Sequence, residues 1–165
     1  MMPTNPEQSP SSEATSQARP MHQDGRTAVD TFDPDEFLYR RYAMVHFADG
    51  QVLPQSISFP KPSFNRGKFS RPEDVLHVDC CDGKELPGWG VLEGRTADLS
   101  VSAESGDKRE FTLYPKHVPK PTCYAHSELW CSSPSSEDAK PTQSSKEKLR
   151  ILLSRALKVK IPATA

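Results

Sequence analysis

No stretch of this chain stays apolar for the ~18 residues that a membrane-spanning helix needs, and no basic segment followed by an apolar run opens it. The expectation is a cytoplasmic protein with neither membrane span nor secretory leader. Also missing are a glycine-rich phosphate loop and a compact nucleophile motif, so no reaction is named by a motif and no cofactor is expected. A paired Cys-x-x-Cys knuckle is missing too, which weakens any case for a zinc module. The charge of one sign that marks a generic DNA-binding domain is absent: 21 basic residues stand against 22 acidic ones. No internal repeat is visible.

Aromatic residues are absent from both ends. All thirteen lie between Phe32 and Trp130. Aromatic side chains dominate core burial, so the core is expected within residues 31–131. Residues 1–30 are rich in Pro, Ser, Gln and Glu, a composition that cannot bury enough apolar surface to offset the entropy of ordering. They read as a disordered tail. Residues 132–144 have a similar polar composition and read as a linker. Residues 145–160 read as an amphipathic helix, with Leu149, Leu152, Leu153, Ala156 and Leu157 spaced along one face. Such a stripe on the end of a polar linker suggests a surface for a protein partner or a second copy.

Between the tails the pattern is α+β, with a small, mostly antiparallel sheet and few short helices. Asp33-Pro34-Asp35-Glu36 has the form of a helix start, with Asp as cap and Pro at the first position, predicting a short helix to about Arg40. The stretch Tyr39–Phe47 is strand-like. Asp49-Gly50 is a strong hairpin signal, and Val52–Phe59 would return. Ser70-Arg71-Pro72-Glu73 opens a second short helix through Leu76 or His77. Residues 97–102 suggest a strand, Glu110–Tyr114 alternates as a half-buried strand should, and Tyr124–Trp130 closes the core as a strand or short helix.

Four cysteines, Cys80, Cys81, Cys123 and Cys131, in a chain expected to be cytoplasmic are expected as reduced thiols or metal ligands rather than disulfides. Adjacent Cys80 and Cys81 make a poor disulfide pair. Cys123, His126 and Cys131 could supply soft ligands to zinc, but the fourth ligand is undefined and no bound metal is expected.

Two clusters carry the chemistry. His117, His126 and Glu128 place two imidazoles and a carboxylate within twelve residues, a set able to do general acid–base work near neutral pH. Asn65, Arg66, Lys68 and Arg71 surround Gly67 and alternate with Phe64 and Phe69. Cations hold phosphate and aromatics stack on bases, and Arg40 and Arg41 could add charge. The slightly acidic middle of the chain argues against nucleic acid as the favoured partner. The reading is a partner- or ligand-binding module, of the kind that serves as an accessory component of a larger assembly. Its rival is a small metal-independent enzyme acting on RNA or a nucleotide through the His/His/Glu cluster and the basic loop.

Overall fold

A computed structural model describes residues 27–165. The expected disordered tail lies, over residues 1–26, outside the described residues. Its last four residues do not behave as a tail. The Val29 amide donates to His117 Nδ1 at 2.9 Å, and Asp30 Oδ1 accepts from the His117 amide at 2.9 Å. Thr27 O accepts from the Tyr124 hydroxyl at 2.8 Å.

The architecture is a curled antiparallel sheet with short helices, the α+β class. The strands are β1 (Phe37–Tyr42), β2 (Phe47–Ala48), β3 (Gln51–Val52), β4 (Ser63–Arg66), β5 (Gly90–Arg95), β6 (Ser102–Glu104), β7 (Glu110–His117), β8 (His126–Ser132) and β9 (Lys158–Ile161). Seven of them form one sheet in the order β6-β7-β8-β4-β1-β5-β9, and β2 and β3 form a separate hairpin. Among the described residues two α-helices accompany them, α1 (Thr96–Leu99) and α2 (Gln143–Ala156).

Local chemistry explains the hairpin. Asp49 and Gly50 both take positive φ, 56° and 76°, as a two-residue turn matched to strand twist requires. The expected helix over Asp33–Arg40 does not form. Its first turn is present, with the Glu36 amide donating to Asp33 O at 2.9 Å and the Asp35 amide to Asp33 Oδ1 at 2.8 Å. It stops there because Phe37–Tyr42 pairs residue for residue with β5 over six positions and with β4 on the other side. Two rows of sheet bonds and cross-strand packing outweigh a weak local helix preference. At residues 97–102 the error runs the other way: α1 covers Thr96–Leu99 and the strand begins only at Ser102. Leu99 is fully buried and packs beneath Gly94.

The C-terminal helix belongs to the core. It begins at Gln143, capped by Thr142, whose Oγ1 accepts from the Ser145 amide at 3.3 Å. Leu149, Leu153 and Leu157 are buried in the main apolar cluster with Leu38, Phe64, Leu92 and Phe111. Polar bonds fix its seat: Arg150 Nε donates to Ile57 O at 2.8 Å, and the fully buried Ser154 hydroxyl donates to Val52 O. The expected polar linker, residues 132–144, does not keep such a helix free. Loop closure costs grow only as about (3/2)RT ln n, while each buried leucine contributes roughly 1.5–3 kcal/mol. The helix ends at Ala156 rather than near residue 160, because Lys158–Ile161 turns back as β9 on the edge of β5. Gly90 permits this approach, since a Cβ there would stand 2.4 Å from Ile161 O. No helix among the described residues is long and apolar enough to cross a membrane.

Candidate anion-binding site

Strands β1 and β4 pair at only two positions, Leu38 with Arg66 and Tyr39 with Asn65. Continued in register, Arg40 would face Phe64 and Arg41 would face Ser63. Instead the strands part. The Ser63 carbonyl, freed from the ladder, accepts from Arg40 Nη1 at 3.0 Å, and the Arg40 guanidinium stands 5.6 Å from the Phe64 ring centre. A cavity of about 280 Å³ opens at this fork.

Its charged lining is all of one sign. Arg40, Arg41 and Lys120 contribute cations, His46 and His126 imidazoles, and no carboxylate lines it. Hydroxyls of Ser56, Ser58 and Ser63 and the Asn65 amide add hydrogen-bonding groups, and Trp89 also lines the cavity. Arg41 is aimed by two carbonyls, Cys80 O at 3.3 Å and Val75 O at 3.4 Å. No ion pair among the described residues involves Arg40. Burial, and then the neighbouring Arg41, lower its pKa to about 10. Lys120 meets Asp82 at 3.9 Å, with Asp82 largely exposed, and such a contact is worth little.

Cys80 also lines the cavity and is joined to Cys123 in a disulfide. This corrects the expectation of reduced thiols or metal ligands for Cys80 and Cys123, whereas Cys81 and Cys131 are free thiols. The poor geometry of the adjacent pair Cys80–Cys81 holds, but the true partner is 43 residues away and invisible to spacing. The buried Asn65 amide lies against both sulfurs, 3.5 Å from Cys80 Sγ and 3.4 Å from Cys123 Sγ. With Cys123 bonded, the set Cys123, His126 and Cys131 is not assembled. Cys131 is a buried thiol whose pKa burial pushes up to about 11. No group of three His, Cys, Asp or Glu among the described residues could hold a metal ion.

The structure separates the residues of the first expected cluster. His117 pairs with Ser127 across β7 and β8, whereas His126 pairs with Asn65 across β8 and β4. Neighbours along β8 point to opposite faces, so the two imidazoles lie on opposite sides of the sheet. His117 is buried and saturated: Nδ1 accepts from the Val29 amide, Nε2–H donates to Tyr124 O at 2.7 Å, and Phe69 stacks on the ring. Burial lowers its pKa despite the Tyr124 hydrogen bond. Glu128 accepts from Trp130 Nε1 at 2.9 Å and does not line the cavity. His126 does line it.

The basic loop also divides. Arg66 is completely buried and forms a two-pronged pair with Glu36, Nε to Oε2 and Nη2 to Oε1, both at 2.8 Å. Its remaining hydrogen bonds go to the Val29 and Thr31 carbonyls, with Phe32 under the guanidinium at 3.7 Å. Lys68 is exposed beside Asp33, Asp35 and Glu36. Arg71 is exposed and paired with Asp74 at 3.0 Å. Of the expected cations and amide, Arg40, Arg41 and Asn65 reach the cavity, and Arg66, Lys68 and Arg71 do not. Lys120, Ser63, His46 and Trp89 were not legible as members. The alternation of Ser63 and Asn65 on one strand face was the single available hint.

No protein-family model matches the chain, and neither the curated proteins nor the solved structures contain a match to it.

Proposed function

We propose that this protein is a small-anion-binding module whose site is the fork between β1 and β4. The observation that carries this reading is a cavity lined by Arg40, Arg41 and Lys120 without a single lining carboxylate. Partly buried guanidinium groups that lack an internal counterion are stabilised by an external one, and planar guanidinium matches the two oxygens of a phosphate or carboxylate. The volume, about 280 Å³, lies just below the 300–1,000 Å³ typical of sites for drug-sized ligands. It suits a phosphate- or carboxylate-bearing metabolite rather than a polymer. The rival reading, an enzyme acting on RNA or a nucleotide through His117, His126 and Glu128, draws no support from imidazoles on opposite faces of the sheet.

Calorimetric titration with inorganic phosphate, succinate and adenosine monophosphate tests the reading. Saturable one-to-one binding of at least one of them, weakened as ionic strength rises, is expected. Absence of saturable binding by all three would sink it.

A further inference from the structure

His126 and Ser63 meet in the lining of the anion cavity in an arrangement that anion binding does not require. His126 Nδ1 lies 2.8 Å from Val118 O, so Nδ1 must carry the proton in the neutral ring. The Val118 amide in turn donates to His126 O at 3.1 Å, which locks ring and backbone together. Nε2 is left bare and faces Ser63 Oγ at 3.3 Å. Ser63 is exposed, lines the cavity, and its own carbonyl is gripped by Arg40. A hydroxyl nucleophile, a base of fixed tautomer and a guanidinium beside them are the parts that nucleophilic catalysis needs.

The geometry points to Ser63 and His126 as a nucleophile–base pair that transfers the acyl group of a small carboxylic ester bearing a second, anionic group. This rests on the anion-site reading, because Arg41 and Lys120 would hold that second group. Ser63 Oγ bonds to the ester carbonyl carbon as its proton passes to His126 Nε2. The carbonyl π pair moves to oxygen, beside the Arg40 guanidinium. Collapse of the tetrahedral intermediate breaks the bond to the leaving alkoxide, which takes the proton from His126. Water then attacks acyl-Ser63, giving one proton to Nε2, which returns it to Ser63 Oγ as the acid departs. No oxidant or further reactant enters. Burial lowers the His126 pKa, and Lys120 and Arg41 act in the same direction, against the Val118 hydrogen bond and Glu128. The ring therefore enters the reaction as a base at neutral pH.

The test uses the full chain and mono-4-nitrophenyl succinate, with 4-nitrophenyl acetate as the probe lacking an anion. Expected are a burst of nitrophenolate approaching one equivalent, faster with the succinate ester, and a succinyl adduct that peptide mass spectrometry maps to Ser63. Ser63→Ala should abolish both. His126→Gln, with an unchanged melting temperature, should slow the burst by about 10²–10⁴-fold. Phosphate binding is measured in parallel on the wild type and on Ser63→Ala. Adducts confined to lysines, or a Ser63 adduct formed equally fast in His126→Gln, would overturn the pair. If phosphate still binds in either case, the anion site stands alone. If neither phosphate nor succinate nor adenosine monophosphate binds to the wild type, the site itself is wrong.

Discussion

Two arginines on neighbouring strands, Arg66 on β4 and Arg40 on β1, have opposite fates. Arg66 is wholly buried, doubly bonded to Glu36, and capped by two carbonyls and an aromatic ring. Every direction in which its guanidinium could grip a ligand is taken. Arg40 holds one carbonyl, has a like-charged neighbour in place of a counterion, and lines a cavity. In the sequence both are simply cations beside aromatics. A counterion within the fold makes a buried arginine a structural strut. Its absence makes a cation a place for something else to bind.

The largest effect expected from this contrast is on stability. Arg66→Met should cost about 3–5 kcal/mol, because Glu36, 6% exposed, is left charged and unpaired. Chemical denaturation measures this. Arg66→Met with Glu36→Gln should recover part of the loss, and a lone Arg66→Met variant as stable as the wild type would erase the distinction.

Arg40→Met should do the reverse. Removing a charge-assisted hydrogen bond to a ligand costs roughly 1.5–3 kcal/mol, so phosphate affinity should fall about ten- to hundredfold. Core stability should hold, or rise slightly, as Arg41 loses a repulsive neighbour. Calorimetry and thermal melting on the same variant separate the two. A large stability loss without a binding loss would place Arg40 with Arg66.

The pH dependence sharpens the contrast on the imidazole side. His117 and His126 both have pKa values lowered in the folded chain, by burial first. The unfolded state therefore binds protons more readily than the native state at acid pH. Stability from these groups is fully present above the unfolded value of about 6.5 and is lost as pH falls through it towards the lower folded values. Melting temperatures should drop below about pH 6.5, and His117→Asn should flatten that part of the profile. Bound phosphate should blunt only the share due to His126, which lines the cavity. A phosphate effect that survives unchanged in His126→Gln would contradict this division.

The smallest effect is the one expected of Lys68. It is exposed among acidic neighbours and reaches no part of the cavity. Lys68→Ala should change stability by no more than about 0.5 kcal/mol and leave phosphate affinity untouched. A clear loss of binding would extend the site to the loop after β4.

What was legible in the sequence was what a few neighbouring residues decide among themselves. Asp49-Gly50 tolerates positive φ and forms a turn wherever it is placed, the alternation of Glu110–Tyr114 gives one wet and one dry face, and leucines three and four apart mark the face α2 buries. Tertiary structure alone decided the rest, because each remaining feature joins segments far apart in the chain. Phe37–Tyr42 became a strand instead of a helix because β4 and β5 flank it. Cys80 found Cys123 across 43 residues. Arg66 and Arg40, alike in local setting, were assigned to strut and cavity by whether Glu36 came within reach. Charge and residue type can be read along a chain. Burial and counterion, which determine what a charged group does, exist only once distant segments have met.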